Sequence, residues 1–306
     1  MKAPRISVLI PVYNGERYVK STVESVIRYS VNHSVEIIVV NDGSTDSTPQ
    51  ILENLKGSIK LITTNNRGES SAVNSGMEAA SGEILLVVSA DDPLFTERIF
   101  NNVIEFFDEN PSAVALYSDW RIIDERGHVL RLKFPGEYSK QQLVGNFHCQ
   151  PGPGTFFRRS SALDIGGRSQ RWKFVGDYDF WLRLSRKGAF GYRNEILAQW
   201  RSHDESTSVA QRGTLMAQER ISVIKDFVSG EYLCPRLRRS ALSAAYVSAA
   251  QLSFFSGEVP GKLYLWCAFI NARGWPKSAR VKVVLFILLT PFSRQAMKFV
   301  GRLLSK

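Results

Sequence analysis

Asp91 and Asp92 stand side by side at the end of an apolar run, residues 84–88 (ILLVV), and are followed closely by Pro93. Adjacent like charges repel, which makes the pair a poor structural device. It makes a good seat for a hard cation, because Mg2+ and Mn2+ prefer oxygen ligands and are commonly shared between carboxylates and substrate phosphates. A solvated turn or cap cluster ahead of Thr96 is the plainer alternative. Asp42 ends a second apolar run, in Asn41-Asp42-Gly43-Ser44-Thr45-Asp46. A carboxylate there can accept hydrogen bonds from a ribose or a base edge, although an Asp-Gly turn leading to a capped helix would use the same residues. Asp177 opens a helical pattern, where the helix dipole and free N–H groups keep a carboxylate ionised. An ionised carboxylate is what a general base requires, and a simple N-cap is the alternative. His203, after Trp200-Arg201-Ser202, reads either as a ligand or as a hydrogen-bonded histidine of the fold.

The elements that must position these groups follow from periodicity. Continuous apolar runs at 6–12, 35–40, 59–63, 84–88 and 113–117 read as buried strands. Between them lie helical patterns. Val19, Val23, Val26 and Ile27 share one face, with Asn14 as N-cap. Thr48 caps a helix to Lys56 with Pro49 at its first position. Ala72, Gly76, Met77 and Ala80 line a third helix stopped at Gly82, and a fourth follows Thr96 with Ile99, Val103, Phe106 and Phe107 inward. Alternating strands and helices imply an α/β fold with a mostly parallel, Rossmann-like central sheet and helices on both faces. Ligands of such sheets bind at the carboxyl ends of the strands. The segments standing there are PVYNGE, NDGSTD and SADD. PVYNGE is not a GxGxxG loop, so an NAD or FAD site is disfavoured. Beyond Trp120 the pattern changes to a hairpin at 121–132, a rigid loop at 150–154, a short strand at 155–158 and a helix opening at Gly176; from about Gln211 the chain reads as consecutive helices.

Composition bounds the partners. With 44% hydrophobic and 22% charged residues, disorder, collagen and disulfide-scaffold classes are excluded. Cys149, Cys234 and Cys267 are too few and too far apart for a disulfide framework or a CxxC metal site. The formal net charge is +10, and residues 231–306 alone hold twelve Lys and Arg against Glu231 and Glu258, so the rest of the chain is balanced. No signal peptide is expected, because the apolar run Ile6–Val12 is too short for an h-region and reads as a strand, and no transmembrane helix is expected, because the longest apolar stretch, 281–292, falls short of the roughly 20 residues a bilayer requires. Arg236, Arg238, Arg239, Arg273, Lys277, Arg280, Lys282, Arg294, Lys298, Arg302 and Lys306 are interleaved with Trp266, Phe269, Trp275, Phe286, Phe292 and Phe299. That mixture suits peripheral attachment to an anionic membrane surface; a solvated helical face is the alternative. Nucleic acid is not expected, since no recognised binding module is present.

Six segments then carry a resemblance: SVLIPVYNGERYVKSTVESV at 7–26, EIIVVNDGSTDST at 36–48, NRGESSAVNSGMEAASGEILLVVSADD at 66–92, GTFFRRSSALDIGG at 154–167, GDYDFWLRLSRKG at 176–188 and WRSHDESTS at 200–208. In that order and spacing the chain resembles the family 2 inverting glycosyltransferases of the GT-A fold. The resemblance implies a GT-A domain over 1–210, with 1–118 the nucleotide-sugar-binding half and 119–210 the acceptor side, followed by a basic helical region at 211–306. It implies that Pro11, Tyr13, Glu16, Asp42, Asn74 and Asp91 bind the donor, that Asp92 (of the DxD-type motif) and His203 hold Mn2+ or Mg2+, and that Asp177 is the catalytic base. The donor would be a nucleotide-diphosphate sugar, a UDP-sugar foremost, and the acceptor a glycan or lipid-linked hydroxyl at the cytoplasmic face of a membrane. Ser89, Gly176 and Val73 depart from residues common in the family (Asp, Glu and Arg respectively). A catalytically impaired nucleotide-sugar-binding protein and a sugar nucleotidyltransferase remain the alternatives at this stage.

Overall fold

The computed structural model describes residues 4–204, 213–230 and 232–255, together with 264, 268 and 271. The aromatic and basic residues named above between Trp266 and Lys306 therefore lie outside the described residues. The chain divides into two compact units. One comprises Met1–Tyr138, Gln150–Arg171 and Gly176–His203; the other comprises Ser139–Cys149, Trp172–Val175 and the chain from Asp204.

The first unit is built on one eight-stranded sheet. β1 (Ile6–Val12), buried along its whole length, is flanked by β2 (Val35–Asn41) and β4 (Ile84–Val87), and β3 (Lys60–Thr63) lies outside β2; all these pairs are parallel. Runs of Val, Ile and Leu with no polar alternation suit strands covered on both faces. On one face Val8, Ile10 and Val12 pack with Val19, Val23 and Val26 of α1 (Val19–Ser30). On the other, α3 (Glu69–Ala79) lies so close to β1 that a Cβ on Gly76 would be 3.4 Å from Leu9 Cδ2. β4 is followed across the sheet by β7 (Phe156–Arg158), antiparallel to it, then by β5 (Ala113–Ile123). β5 pairs antiparallel with β6 (Val129–Lys133) and parallel with the long β8 (Ala189–Arg201).

The chain leaves β1 toward β2 and β3, then returns to β4 on the other side. That reversal opens a crevice beyond the carboxyl ends of β1 and β4. Pro11 marks it. Pairing of β1 with β4 ends at Leu9 opposite Val87, and Leu9 O accepts Val88 N at 2.9 Å. Pro11, two residues on and facing the same way, lacks the N–H that a further rung would use.

Local signals needed several corrections. Asn14 does not cap α1, which starts four residues after Gly15; it adopts a left-handed conformation (φ 50°) and bonds the β2 loop instead. α2 (Thr48–Glu53) has Ser47 at its N-cap and stops short of Lys56. α3 ends at Ala80, in extended conformation, before Gly82 is reached. The helix expected after Thr96 is two pieces: a 3-10 turn at Glu97–Phe100, capped by the Thr96 hydroxyl accepting from Arg98 N at 3.2 Å, and α4 (Val103–Glu109), separated by Asn102 at φ 54°. Apolar spacing survives such a break, so periodicity alone did not reveal it.

In the second unit α7 (Thr214–Ser229) and α8 (Pro235–Phe255) bury Met216, Ala217 and Ile221 against Ala249 and Leu252. A π-helical turn at Gln141–Gly145 joins them, with the Ser240 hydroxyl donating to Gly145 O at 2.9 Å. Glu219 accepts the N–H groups of Lys173 (2.9 Å) and Phe174 (2.8 Å). None of the described helices is long and apolar enough to cross a membrane.

Candidate functional site

The loops that follow β1 and β2 are stitched into one surface. Asn14 N donates to the Ser44 hydroxyl (3.0 Å), and Thr45 N to Asn14 Oδ1 (2.8 Å). Gly15 N donates to Thr48 Oγ1 (2.9 Å). Glu16 N reaches Asp46 Oδ2 (3.0 Å), and Ser47 N returns to Glu16 Oε2 (2.9 Å). Glu16 thus holds the loop of β2, and its carboxylate is partly spent in doing so. Tyr13, half exposed, stands free above the buried Pro11. Asp42 is buried, and three donors of the next loop converge on its carboxylate: Thr64 hydroxyl (2.7 Å) and Arg67 N (3.0 Å) on Oδ1, Gly68 N (2.7 Å) on Oδ2. Its first task is to fold residues 64–68 over the end of the sheet.

The acidic pair after β4 has two distinct environments. Asp92 is buried and its Oδ1 accepts Arg201 N at 2.6 Å. Burial, then the neighbouring charge of Asp91, pushes its carboxyl well above the usual carboxylate range; the Arg201 N–H, the Ser89 hydroxyl and the Arg201 charge oppose this. Asp91 is partly open, and its Oδ2 hydrogen-bonds His203 Nε2 at 2.7 Å. Within the cluster the histidine thus pairs with Asp91, while Asp92 bonds the backbone of Arg201. Arg201, buried at the end of β8, braces the cluster by donating from Nε to Asp91 O (2.9 Å) and from Nη1 to Glu125 O (2.8 Å). Among the described residues no three His, Cys, Asp or Glu side chains form a ready-made cage. Two carboxylates with unbalanced repulsion, beside an imidazole, are nonetheless the donor set a hard cation accepts when substrate phosphates complete its shell.

Asp177 lies in the first turn of α6 (Gly176–Leu184), inside the helix rather than at its N-cap. Its Oδ1 accepts Tyr178 N at 2.7 Å. The side chain reaches solvent, yet protein crowds it closely enough for desolvation to raise its carboxyl, with the Arg168 charge and the Tyr178 N–H pulling the other way and Glu69 adding to the rise. The helix start abuts α3: a Cβ on Gly176 would be 3.2 Å from Ser70 Oγ. The Asn74 side chain, expected at the donor, bonds the backbone of Arg168. Its Oδ1 accepts Arg168 N (2.7 Å) and its Nδ2 donates to Arg168 O (2.8 Å), so it clamps the loop that faces Asp177. Val73 is fully buried in α3.

Arg168 and Arg201 are the residues that the sequence reading passed over. Arg201 sits between Trp200 and His203 in a segment already singled out, so its place beside the histidine was a usable signal. Arg168 carries no such mark; only the fold brings it to α3 and α6.

The arrangement matches known proteins. Residues 7–166 match the family described as glycosyl transferase family 2, more than half of the chain. The chain belongs to that family. Among its relatives are an uncharacterized glycosyltransferase of Rickettsia typhi (29% identical over 67% of this chain and 66% of that one), the minor teichoic acid biosynthesis protein GgaA of Bacillus subtilis (29%; 67% and 49%) and chondroitin synthase of Escherichia coli (26%; 74% and 33%). The match thus spans from a third to just under two thirds of these relatives' own lengths. Solved folds agree: TarS of S. aureus in complex with UDP-GlcNAc (TM-score 0.68, 18% identity, covering 98% of this chain and 90% of that one), and a mannosyltransferase of Pyrobaculum calidifontis in complex with GDP-Man and Mn2+ (0.62, 14%; 98% and 84%). This family 2 member has the GT-A fold, a central sheet flanked by helices, with further helices toward the C-terminus.

Proposed function

We propose that this family 2 member transfers a sugar, with inversion, from a nucleoside-diphosphate sugar (a UDP-sugar foremost) to a hydroxyl of a glycan or lipid-linked acceptor, in the synthesis of a surface polysaccharide. One observation carries the reading: past the carboxyl end of β4 stands an acidic cluster, Asp91 with His203 at 2.7 Å; Asp177, in the first turn of α6, is the residue that the family resemblance would make the base. GgaA and chondroitin synthase, named for teichoic acid biosynthesis and chondroitin synthesis, and the nucleotide-sugar complexes of the two structural neighbours support the substrate class.

The division of labour follows from the residues. Tyr13, just after β1, with Pro11 near the end of that strand, would offer an aromatic and apolar surface for the base, and Asp42 fixes the 64–68 loop. Asp91 and His203, with Asp92 behind them, would hold Mn2+ or Mg2+, which when bound supplies positive charge against the diphosphate. Arg201 keeps the two aspartates in register. Asp177 takes the proton from the acceptor hydroxyl as that oxygen attacks the anomeric carbon from the face opposite the diphosphate. A single displacement inverts the centre, and no covalent sugar–protein intermediate is needed.

A panel of nucleotide sugars with purified protein, with Mn2+ and with EDTA, tests this. Transfer or donor hydrolysis by at least one sugar nucleotide is expected, abolished by EDTA. Asp177→Asn should lower turnover by about 10²–10⁴-fold with donor affinity nearly unchanged. Binding without turnover by the unmodified protein would favour a nucleotide-sugar-binding role instead.

A further inference from the structure

Arg168, in the loop just before α6, is held on both its backbone and its side chain. Its backbone is clamped at both polar atoms by the Asn74 amide, at 2.7 and 2.8 Å. The clamp requires Gly167: that residue has φ +66°, and a Cβ on it would lie 2.4 Å from Asn74 Oδ1. The guanidinium is tied at Nη1 to Glu69 Oε1 at 2.7 Å, and only 12% of the side chain is exposed. Its Nε–H is nevertheless buried without a partner. An arginine held this firmly with a donor left unmade is poised toward an acceptor that the resting arrangement does not engage. Asp177, at the start of the adjoining helix, is the carboxylate whose ionised form this cation favours. The first residue of α6, Gly176, is placed so that a Cβ on it would lie 3.2 Å from Ser70 Oγ and 3.9 Å from Ser169 O, the carbonyl next to Arg168. Asp177 has Oδ1 occupied by Tyr178 N, with Oδ2 turned to none of the described donors.

We propose that Arg168 is a positioning residue for Asp177, its anchored guanidinium keeping that carboxylate turned toward the acceptor hydroxyl. The proposal rests on the reading of Asp177 as the general base. Two charged groups act on the carboxylate. Arg168 comes from the loop after α5 (Arg159–Asp164), and Glu69 from the start of α3. Asp179, on α6 itself, is neutralised by Arg183 at 2.6 Å. Desolvation and Glu69 favour the neutral acid, and the cation opposes them. Glu69 thus fixes the arginine and at the same time moderates it. Removing the cation must raise the pH at which Asp177 ionises; removing Glu69 must lower it.

The test follows Asp177 itself by carbon-13 NMR of aspartate carboxyls, its signal assigned by its loss in Asp177→Asn, alongside the pH profile of transfer. Arg168→Gln should move the midpoint and the acid limb upward by about one pH unit or more, as loss of a close opposite charge does. Arg168→Lys should restore most of the shift, and Glu69→Gln should move both downward. An unchanged midpoint in Arg168→Gln, or an equal upward shift in Arg168→Lys, would overturn the proposal. If Arg168→Gln fails to fold, Arg168→Ala or Arg168→Met takes its place, and a midpoint unchanged in it while Glu69→Gln is also unchanged overturns the proposal. Absence of turnover with every nucleotide sugar would refute the transferase reading, while the NMR midpoints still report whether Arg168 governs Asp177.

Discussion

At the residue scale, chemistry was legible where it demands a residue type. Asp91, Asp92, Asp177 and His203 stood out because cation binding and proton abstraction need carboxylates and imidazoles at strand ends and helix starts, and the fold puts them there. Their pairing was not legible. His203 goes to Asp91 because β8 delivers Arg201 N to Asp92 Oδ1 at 2.6 Å, which turns the two carboxylates apart. That distinction has a consequence. His203→Ala and Asp91→Ala should each raise the Mn2+ concentration needed for half-maximal transfer by about 10–100-fold, the usual cost of losing a ligand's supporting partner. Asp92→Asn keeps an oxygen for Arg201 N and sheds a carboxyl that burial already drives toward neutrality; its effect on the Mn2+ requirement should be smaller. A Mn2+ titration of the initial rate separates the cases. A requirement unchanged from that of the unmodified protein in all three variants would show that the cation is held elsewhere.

At the element scale, the parallel half of the sheet was readable and the acceptor side less so. β1, β2 and β4 are unbroken apolar runs whose burial on both faces leaves no competing pattern. The site's loops depend instead on contacts between distant residues, such as Asn74 with Arg168, 94 positions apart, which no local signal encodes. The clamp they form is a structural joint between α3 and the loop before α6. Gly167→Ala forces a left-handed conformation on a side chain and drives its Cβ to 2.4 Å from Asn74 Oδ1. It should cost about 1–3 kcal/mol of unfolding free energy, and Asn74→Ala, which strips both partners from the Arg168 backbone, a similar amount. Because both break one joint, the double variant should lose clearly less than the sum. Urea unfolding of the three proteins measures this; strict additivity would mean that the two residues act separately.

At the scale of the whole molecule, the question is what the charge of the C-terminal quarter is for. Residues 231–306 carry the entire net +10 of the chain. Of that charge, Arg236, Arg238 and Arg239 lie among the described residues, exposed at the start of α8. Nothing in the helix calls for them there: cations at an N-terminus oppose the helix macrodipole, whose positive end they share. None of them makes a described ion pair that would offset this cost. A partner with negative charge would offset it, and a lipid-linked acceptor, as proposed, would place an anionic surface beside the protein. Each Lys or Arg close to an anionic leaflet contributes on the order of 1 kcal/mol, screened by salt within about a Debye length. Vesicle co-sedimentation of the intact protein should therefore show binding to anionic vesicles at low salt, weaker at high salt, and little binding to neutral ones. Replacing Arg236, Arg238 and Arg239 by Gln should reduce anionic binding by about 10–100-fold, with donor hydrolysis in solution unaltered. Binding that ignores lipid charge, or that survives the triple substitution undiminished, would assign these arginines to a different anionic partner.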